Sequence, residues 1–188
     1  VSSIDIDKQL YIGKGLDREC YLHPEDSSKC IKITVSGDYR QHRDDIKYYH
    51  RLQKRDISWQ HLAQFHGLCS TSLGDGLMFE VVRDHDGSIS KSLRDYIRGN
   101  GCPIDRQQLD DELARLKSYL LKHSIIMRDL KDDNLLLQRL SDSEARLVVI
   151  DGIGNNEFIP FSELAPVFTN MKINRKWAKF SQKLQAKL

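Results

Sequence analysis

An apolar run, Ile125-Ile126-Met127, passes directly into Arg128-Asp129-Leu130-Lys131-Asp132-Asp133-Asn134, and a second run, Val148-Val149-Ile150, ends on Asp151-Gly152. Apolar runs that stop on polar residues at fixed intervals have chemistry spacing rather than packing spacing. An Asp and a Lys two apart in a tight loop can both face one polar substrate. Asn134, five residues after Asp129, and Asp151, seventeen further on, are hard oxygen donors of the kind Mg²⁺ takes together with phosphate oxygen. The set reads as phosphoryl transfer. The plainer reading makes Asp129, Asp132 and Asp133 solvated turn acids and Asn134 a cap.

At these positions the chain resembles the protein kinase-like superfamily, with its catalytic loop H-R-D-x-K-x-x-N and metal-binding turn D-F-G. Here the loop is Met127-Arg128-Asp129-Leu130-Lys131-Asp132-Asp133-Asn134, with Met in place of the His, and the turn is Asp151-Gly152-Ile153. Several positions matched in register, with a second motif downstream in the right order, carry far more weight than a lone R-D.

A chain of 188 residues, 39% hydrophobic and 30% charged, accommodates one domain or two small lobes and can bury a core. No stretch approaches the roughly 20 apolar residues of a membrane span, and no signal peptide is evident. The expectation is a soluble, cytoplasmic protein. Cys20, Cys30, Cys69 and Cys102 lack C-x-x-C spacing, so neither a zinc site nor a disulfide framework is expected. After Met171 there are six Lys or Arg and no acid, so the rest of the chain is net acidic. That is not the footprint of a nucleic-acid binder, and none is expected as a partner.

In chain order, Gln9–Gly15 is a strand running into Gly13 and Gly15. In the kinase-like reading these glycines let backbone amides approach nucleotide phosphates, with Arg18 where the third glycine would stand. An ordinary hairpin turn is the alternative. Lys29–Ile33 is a strand whose alternation puts Cys30 and Lys32 on one side. Lys32 matches the phosphate-holding lysine of the V-A-I-K strand; the alternative puts it on the solvent face. Asp38–Lys54 carries Ile46, Tyr49 and Leu52 at helical steps, and Asp45, preferred to Asp44, stands where the family has the glutamate that pairs with that lysine. Trp59–Gly67 reads as a poorly patterned connection and Gly74–Gly76 as a turn. Leu77–Val82 resembles the adenine-contacting hinge, with Glu80 and Val82 at the matching positions.

The second half opens with a short helix over Ser92–Ile97. A longer one follows, in which Asp105 and Gln108 form a capping box and Leu109, Leu113, Leu116 and Leu120 mark the core face. Leu135–Leu137 and Leu147–Ile150 form a hairpin that presents Asn134 and Asp151 from its two ends. Beyond Asp151 only 37 residues remain, with no A-P-E motif or peptide-binding platform. Residues 171–188 form a basic amphipathic helix with Ile173, Trp177, Phe180, Leu184 and Leu188 on one face. Such a helix can lie weakly on an anionic membrane surface, but packing on the second lobe is preferred.

Glu19–Asp26, Cys30–Ile33 and Ile46–Tyr49 resemble the bacterial PhoP-regulated YrbL family, a compact kinase-like group. The resemblance covers most of the chain and implies a link to envelope-stress regulation. The expected fold is α+β, a compact bilobal protein kinase-like domain spanning residues 1–188, with an N-lobe over about 1–82 and a truncated C-terminal lobe over about 83–188. The expected activity is ATP- and Mg²⁺-dependent phosphotransfer to a small or non-peptide acceptor. In this reading Asp129 and Lys131 are catalytic. Gly13, Gly15, Lys32, Asp45, Glu80 and Val82 serve the nucleotide, and Asn134 and Asp151 bind metal. The alternative is a pseudokinase-like protein that binds nucleotide and a regulatory partner without turnover.

Overall fold

The computed structural model describes residues 3–99, 101–154 and 166–188. Residues 155–165, where an activation segment would follow Asp151, lie outside the described residues. The chain is α+β and divides into two compact units, Val1–Trp59 with Ala63–Val82, and Gln60–Leu62 with Arg83–Leu188.

The first unit is an antiparallel sheet of β1 (Tyr11–Lys14), β2 (Arg18–Leu22), β3 (Lys29–Thr34), β4 (Phe65–Thr71) and β5 (Gly74–Glu80), in the order β1-β2-β3-β5-β4. Period-two alternation divides β3 between two environments. Ile31 and Ile33 pack with Ile6 and Tyr21 in one core cluster. Cys30 pairs with Phe79 on the other face, where Tyr49 of α1 (Arg40–Gln53) meets Phe79 and Phe65 with ring centroids 5.0 and 5.3 Å away. Helix α1 thus covers the face that carries Lys32. Along it His42, Asp45, Tyr49 and Leu52 are buried and Asp44 is exposed, as the helical spacing requires.

Strand β4 was not legible from hydrophobic pattern: it begins at Phe65, inside the expected connection, and β5 already includes Gly74–Gly76. β4 lies at the edge of the sheet, and its register shifts between Phe65 and Gly67, where Gly67 has φ 114°. A bulge of this kind interrupts the alternation by which strands are recognised. A side chain at Gly76 would place its Cβ 2.4 Å from the Ile31 side chain, so the glycine there permits close packing of β5 on β3.

The second unit contains β6 (Lys91–Ser92), α2 (Leu93–Arg98), α3 (Arg106–Lys122), β7 (Leu135–Arg139), β8 (Ala145–Val149) and α4 (Pro166–Gln185), with sheet order β6-β7-β8. The capping box forms at α3: Gln108 N donates to Asp105 Oδ1 at 2.8 Å, and Asp105 N donates to Gln108 Oε1 at 2.9 Å. Leu109, Leu113, Leu116 and Leu120 are buried. So are Ile173, Trp177, Phe180 and Leu184 of α4, and α3 packs on both β8 and α4. Leu188, expected on that face, is 47% exposed, because α4 ends at Gln185. Among the described residues no helix is long and apolar enough to cross a membrane.

Residues 60–62 join the second unit through β8. Val149 N donates to His61 O at 2.9 Å, Leu62 and Val149 form a parallel bridge, and His61 Nδ1 lies 2.7 Å from Leu147 O. The buried His61 ring also lies 5.2 Å from that of Tyr119 on α3.

Candidate functional site

Ile125, Ile126 and Met127 are almost wholly buried and anchor the loop that follows. Met127 bridges to Ile153, Gly154 N donates to Ile126 O at 2.8 Å, and Asp129 N donates to Gly152 O at 3.0 Å. The loop at 127–134 and the turn at 151–154 are therefore joined by backbone bonds. Hairpin β7–β8 fixes them from the other side: Leu135 pairs with Val149, and Ile150 N donates to Asn134 O at 3.0 Å. Asn134 and Asp151 consequently emerge from facing ends of one hairpin.

Lys131 Nζ is 2.8 Å from Asp129 Oδ2 and 3.7 Å from Asp133 Oδ2. The Asp129 carboxylate raises the Lys131 pKa above its ordinary value, which keeps the ammonium charged beside the acid. Asn134 Nδ2 donates to the Asp129 carbonyl at 2.8 Å and lies 3.4 Å from its Oδ2. Committing the amide nitrogen to Asp129 turns the amide oxygen of Asn134 away from it. Gly152 N donates to Asp151 Oδ1 at 2.6 Å. Gly152 has φ 76°, and a Cβ there would stand 2.5 Å from Asp129 O and 2.7 Å from Asn134 Nδ2. Only glycine lets the turn lie this close to the loop. The Asp129 side chain is 53% exposed, open to an incoming molecule.

The three-residue turn Asp132–Asn134 is braced from two elements. Arg94 of α2 bonds Asp132 at 3.2 Å and Asp133 at 2.7 Å, and Lys187 bonds Asp132 Oδ2 at 2.6 Å. Burial alone would raise the Asp132 pKa, but Lys187 and Arg94 outweigh it and the net displacement is downward. Lys176 of α4 donates to Arg128 O at 2.7 Å. Asp132 is thus a buried structural acid and not a solvated one. These braces carry no local sequence signature, since Lys187 and Asp132 are 55 positions apart.

In the first unit, Lys32 Nζ lies over the Phe79 ring, 4.8 Å from its centroid, and is cross-strand to Cys20 and Leu77. A hydrogen bond with Cys20, and burial, raise the Cys30 pKa well above the usual thiol value, so Cys30 acts as small apolar filling rather than as a nucleophile. Asp45 is buried on the face expected of it, and Arg18 Nη1 meets its Oδ2 at 2.7 Å. Arg18, expected at the tip of the glycine loop, is buried at the start of β2. Arg18, Cys20 and Lys32 share one sheet face, but no local pattern links Arg18 to Asp45, 27 residues away. Glu80 accepts from Gln64 N through Oε2, its carbonyl accepts from Cys30 Sγ, and Val82 is buried. Neither Gly13 nor Gly15 is among the glycines with positive φ, and a Cβ at Gly13 would meet nothing within 4 Å. Neither turn geometry nor packing within the chain demands these glycines.

Among the described residues no group of three or more His, Cys, Asp or Glu side chains could hold a metal ion. Mg²⁺ does not need one, because it binds through one or two carboxylates, water and substrate phosphate. Asp151 and Asn134, two hard donors held by one hairpin, fit that requirement. A surface hollow of about 390 Å³, lined by Lys91, Asp95, Tyr96, Gly99 and Gly101, contains none of these residues.

The profile of the family described as PhoP regulatory network protein YrbL matches residues 4–185. The chain belongs to this family. YrbL of Escherichia coli (strain K12) is 34% identical over 180 residues, covering 94% of this chain and 86% of the relative. YrbL of Shigella flexneri matches with the same identity and coverage. The YrbL relationship therefore extends over both units and includes the loop at 127–134 and the turn at 151–154.

Proposed function

We propose that the chain is an ATP- and Mg²⁺-dependent phosphotransferase with a kinase-like fold, acting on a small or non-peptide acceptor in the bacterial cytoplasm within the PhoP regulatory network. The observation that carries this reading is the polar cluster at the hairpin end. Asp129 is bonded to Lys131 and Asn134 and lies against the Asp151-Gly152 turn. A cap or a set of solvated turn acids has no need of a glycine through which two loops make contact.

In this reading Asp129 takes the proton of the acceptor hydroxyl. The hydroxyl oxygen forms a bond to the γ-phosphorus, the bridging P–O bond to the β-phosphate breaks, ADP departs, and the proton passes from Asp129 to solvent. Lys131 offsets charge on the transferring group. Asn134 and Asp151 would hold Mg²⁺, which supplies charge neutralisation to the phosphates when bound. Lys32 is assigned to the α/β-phosphates, Gly13 and Gly15 to close backbone approach, and Glu80 and Val82 to the adenine. Asp45, which pairs with Arg18, is assigned to orienting Lys32.

That pairing favours a second reading, in which the protein binds nucleotide and a regulatory partner without turnover. Thermal unfolding with ATP, with and without Mg²⁺, followed by mass spectrometry of the products, separates the two. Both readings expect metal-dependent stabilisation, about 2.7 kcal/mol at a ligand concentration 100 times Kd. ADP together with a phosphorylated acceptor is expected only for the phosphotransferase. Absence of any Mg²⁺-dependent stabilisation by ATP would overturn both.

A further inference from the structure

The main apolar side of α4 is committed to the fold: Ile173, Trp177, Phe180 and Leu184 are buried, and α4 packs on α3. That side is closed to any other surface. The opposite side is not polar throughout. Steps of three and four residues place Phe168, Met171, Arg175, Lys179 and Lys183 along it, with Val167 beside Met171. Val167, Phe168 and Met171 are 67, 58 and 63% exposed and form one apolar patch in the first turns of the helix. Arg175, Lys179 and Lys183 are exposed as well, and none of them forms an ion pair among the described residues. Residues 166–188 contain six Lys or Arg and no Asp or Glu, so no acid on the helix offsets these charges.

Packing within the chain does not account for this face. Exposed Phe and Met side chains add nothing to the core, and cations at spacings of four repel one another along the helix. We infer that the outer face of α4 docks on an anionic lipid surface, with Val167, Phe168 and Met171 entering the acyl boundary and Arg175, Lys179 and Lys183 reaching the headgroup phosphates. Long basic side chains can lay their stems on apolar surface while their charged ends stay in the polar layer. A small apolar insertion holds a protein only marginally at a membrane, and attraction to anionic lipid supplies the second contribution that stable attachment requires. A second copy of the chain is a poorer occupant, because this face packed on itself would set cations against cations with no acid between them. The inference goes beyond phosphotransfer and does not depend on it. Lys176 and Lys187 tie the same part of the chain to the loop at 127–134, so docking would fix the orientation of that loop to the lipid plane.

Vesicle flotation of the full chain tests the inference, with vesicles of phosphatidylglycerol and phosphatidylcholine in equal parts compared with vesicles of phosphatidylcholine alone. Wild type is expected to float with the anionic vesicles and not with the neutral ones, and to be released as salt is raised. Phe168→Ala/Met171→Ala should weaken binding about tenfold or more. Lys179→Ala/Lys183→Ala should weaken it about fivefold for each charge removed. Lys8→Ala/Lys54→Ala, which removes two exposed cations of the first unit, should leave it unchanged. All six side chains are exposed, so the variants should unfold thermally with wild type. Absence of flotation, or equal flotation with neutral and anionic vesicles, overturns the inference. So does a loss with Lys8→Ala/Lys54→Ala as large as that with Lys179→Ala/Lys183→Ala, which would mean adsorption by overall charge. Binding indifferent to Phe168→Ala/Met171→Ala overturns it as well, because the apolar patch would then remain in water. Binding to soluble polyglutamate without binding to anionic vesicles assigns the face to an acidic protein and removes the lipid.

Discussion

Lys187 Nζ meets Asp132 Oδ2 at 2.6 Å, tying the residues just beyond α4 to the turn that ends in Asn134. Asp132 is almost fully buried and also bonded to Arg94, so its charge depends on both cations. Lys187→Met should lower stability by about 1.5–3 kcal/mol, the range for hydrogen bonds to charged groups. Hydrogen exchange should quicken over 127–134. The Asp132 carboxyl titrates below its ordinary value in the folded state, so its contribution is fully present above about pH 4. It is lost as the pH falls through the lower folded value. Urea unfolding from pH 7 to pH 3 should therefore show the wild-type and Lys187→Met curves converging only below about pH 4. A gap unchanged down to pH 3 would remove Asp132 from the account.

The buried Arg18–Asp45 pair predicts a strong asymmetry between single and double replacements. Removing one partner strands a charge in the interior, at a cost of about 3–5 kcal/mol, whereas two apolar residues of similar volume can restore most of the stability. Asp45→Leu alone should be severely destabilised and Arg18→Met/Asp45→Leu much less so, as read by denaturant unfolding. Additive losses would contradict the pairing.

Gly152→Ala should be costly for two separate reasons: the left-handed φ, worth about 1–3 kcal/mol for a non-glycine residue, and the collision of Cβ with the Asp129 carbonyl. Thermal unfolding checks the first. Loss of Mg²⁺-dependent stabilisation by ATP checks the second, because displaced loops would no longer align Asn134 with Asp151.

Asp129→Asn retains size and removes the base. Turnover, or transfer once an acceptor is found, should fall by roughly 10²–10⁴. Nucleotide affinity should hold or improve, since the carboxylate would only repel phosphates. Undiminished turnover would show the activity to be incidental and leave the nucleotide-binding regulator as the better reading.

What could be read in the chain was whatever local spacing determines. The capping box at Asp105, the core stripe of α3, the face of α1 that buries Asp45, and the hairpin delivering Asn134 and Asp151 all follow from periods of 3.6 or 2 over a few residues. What escaped depends on partners distant in sequence. Nothing near Arg18 announces Asp45, nothing near Asp132 announces Lys187, and β4 is obscured by its bulge at Gly67. The basic tail illustrates the difference most clearly. Its apolar face was legible as periodicity, whereas the use of Lys176 and Lys187 to hold the loop required the fold.

Residues 60–62 have a consequence for how the molecule could be divided or inherited. They lie before β4 in the chain yet lend their backbone to the outer side of β8. A fragment beginning at Arg83 would leave that side of β8 without the carbonyl of His61 and the ring that lies against Tyr119. An unpaired edge of this kind is a template for another strand. Such a fragment should self-associate, so a gene split after Val82 would not yield two independent modules, and recombination at that point should be selected against.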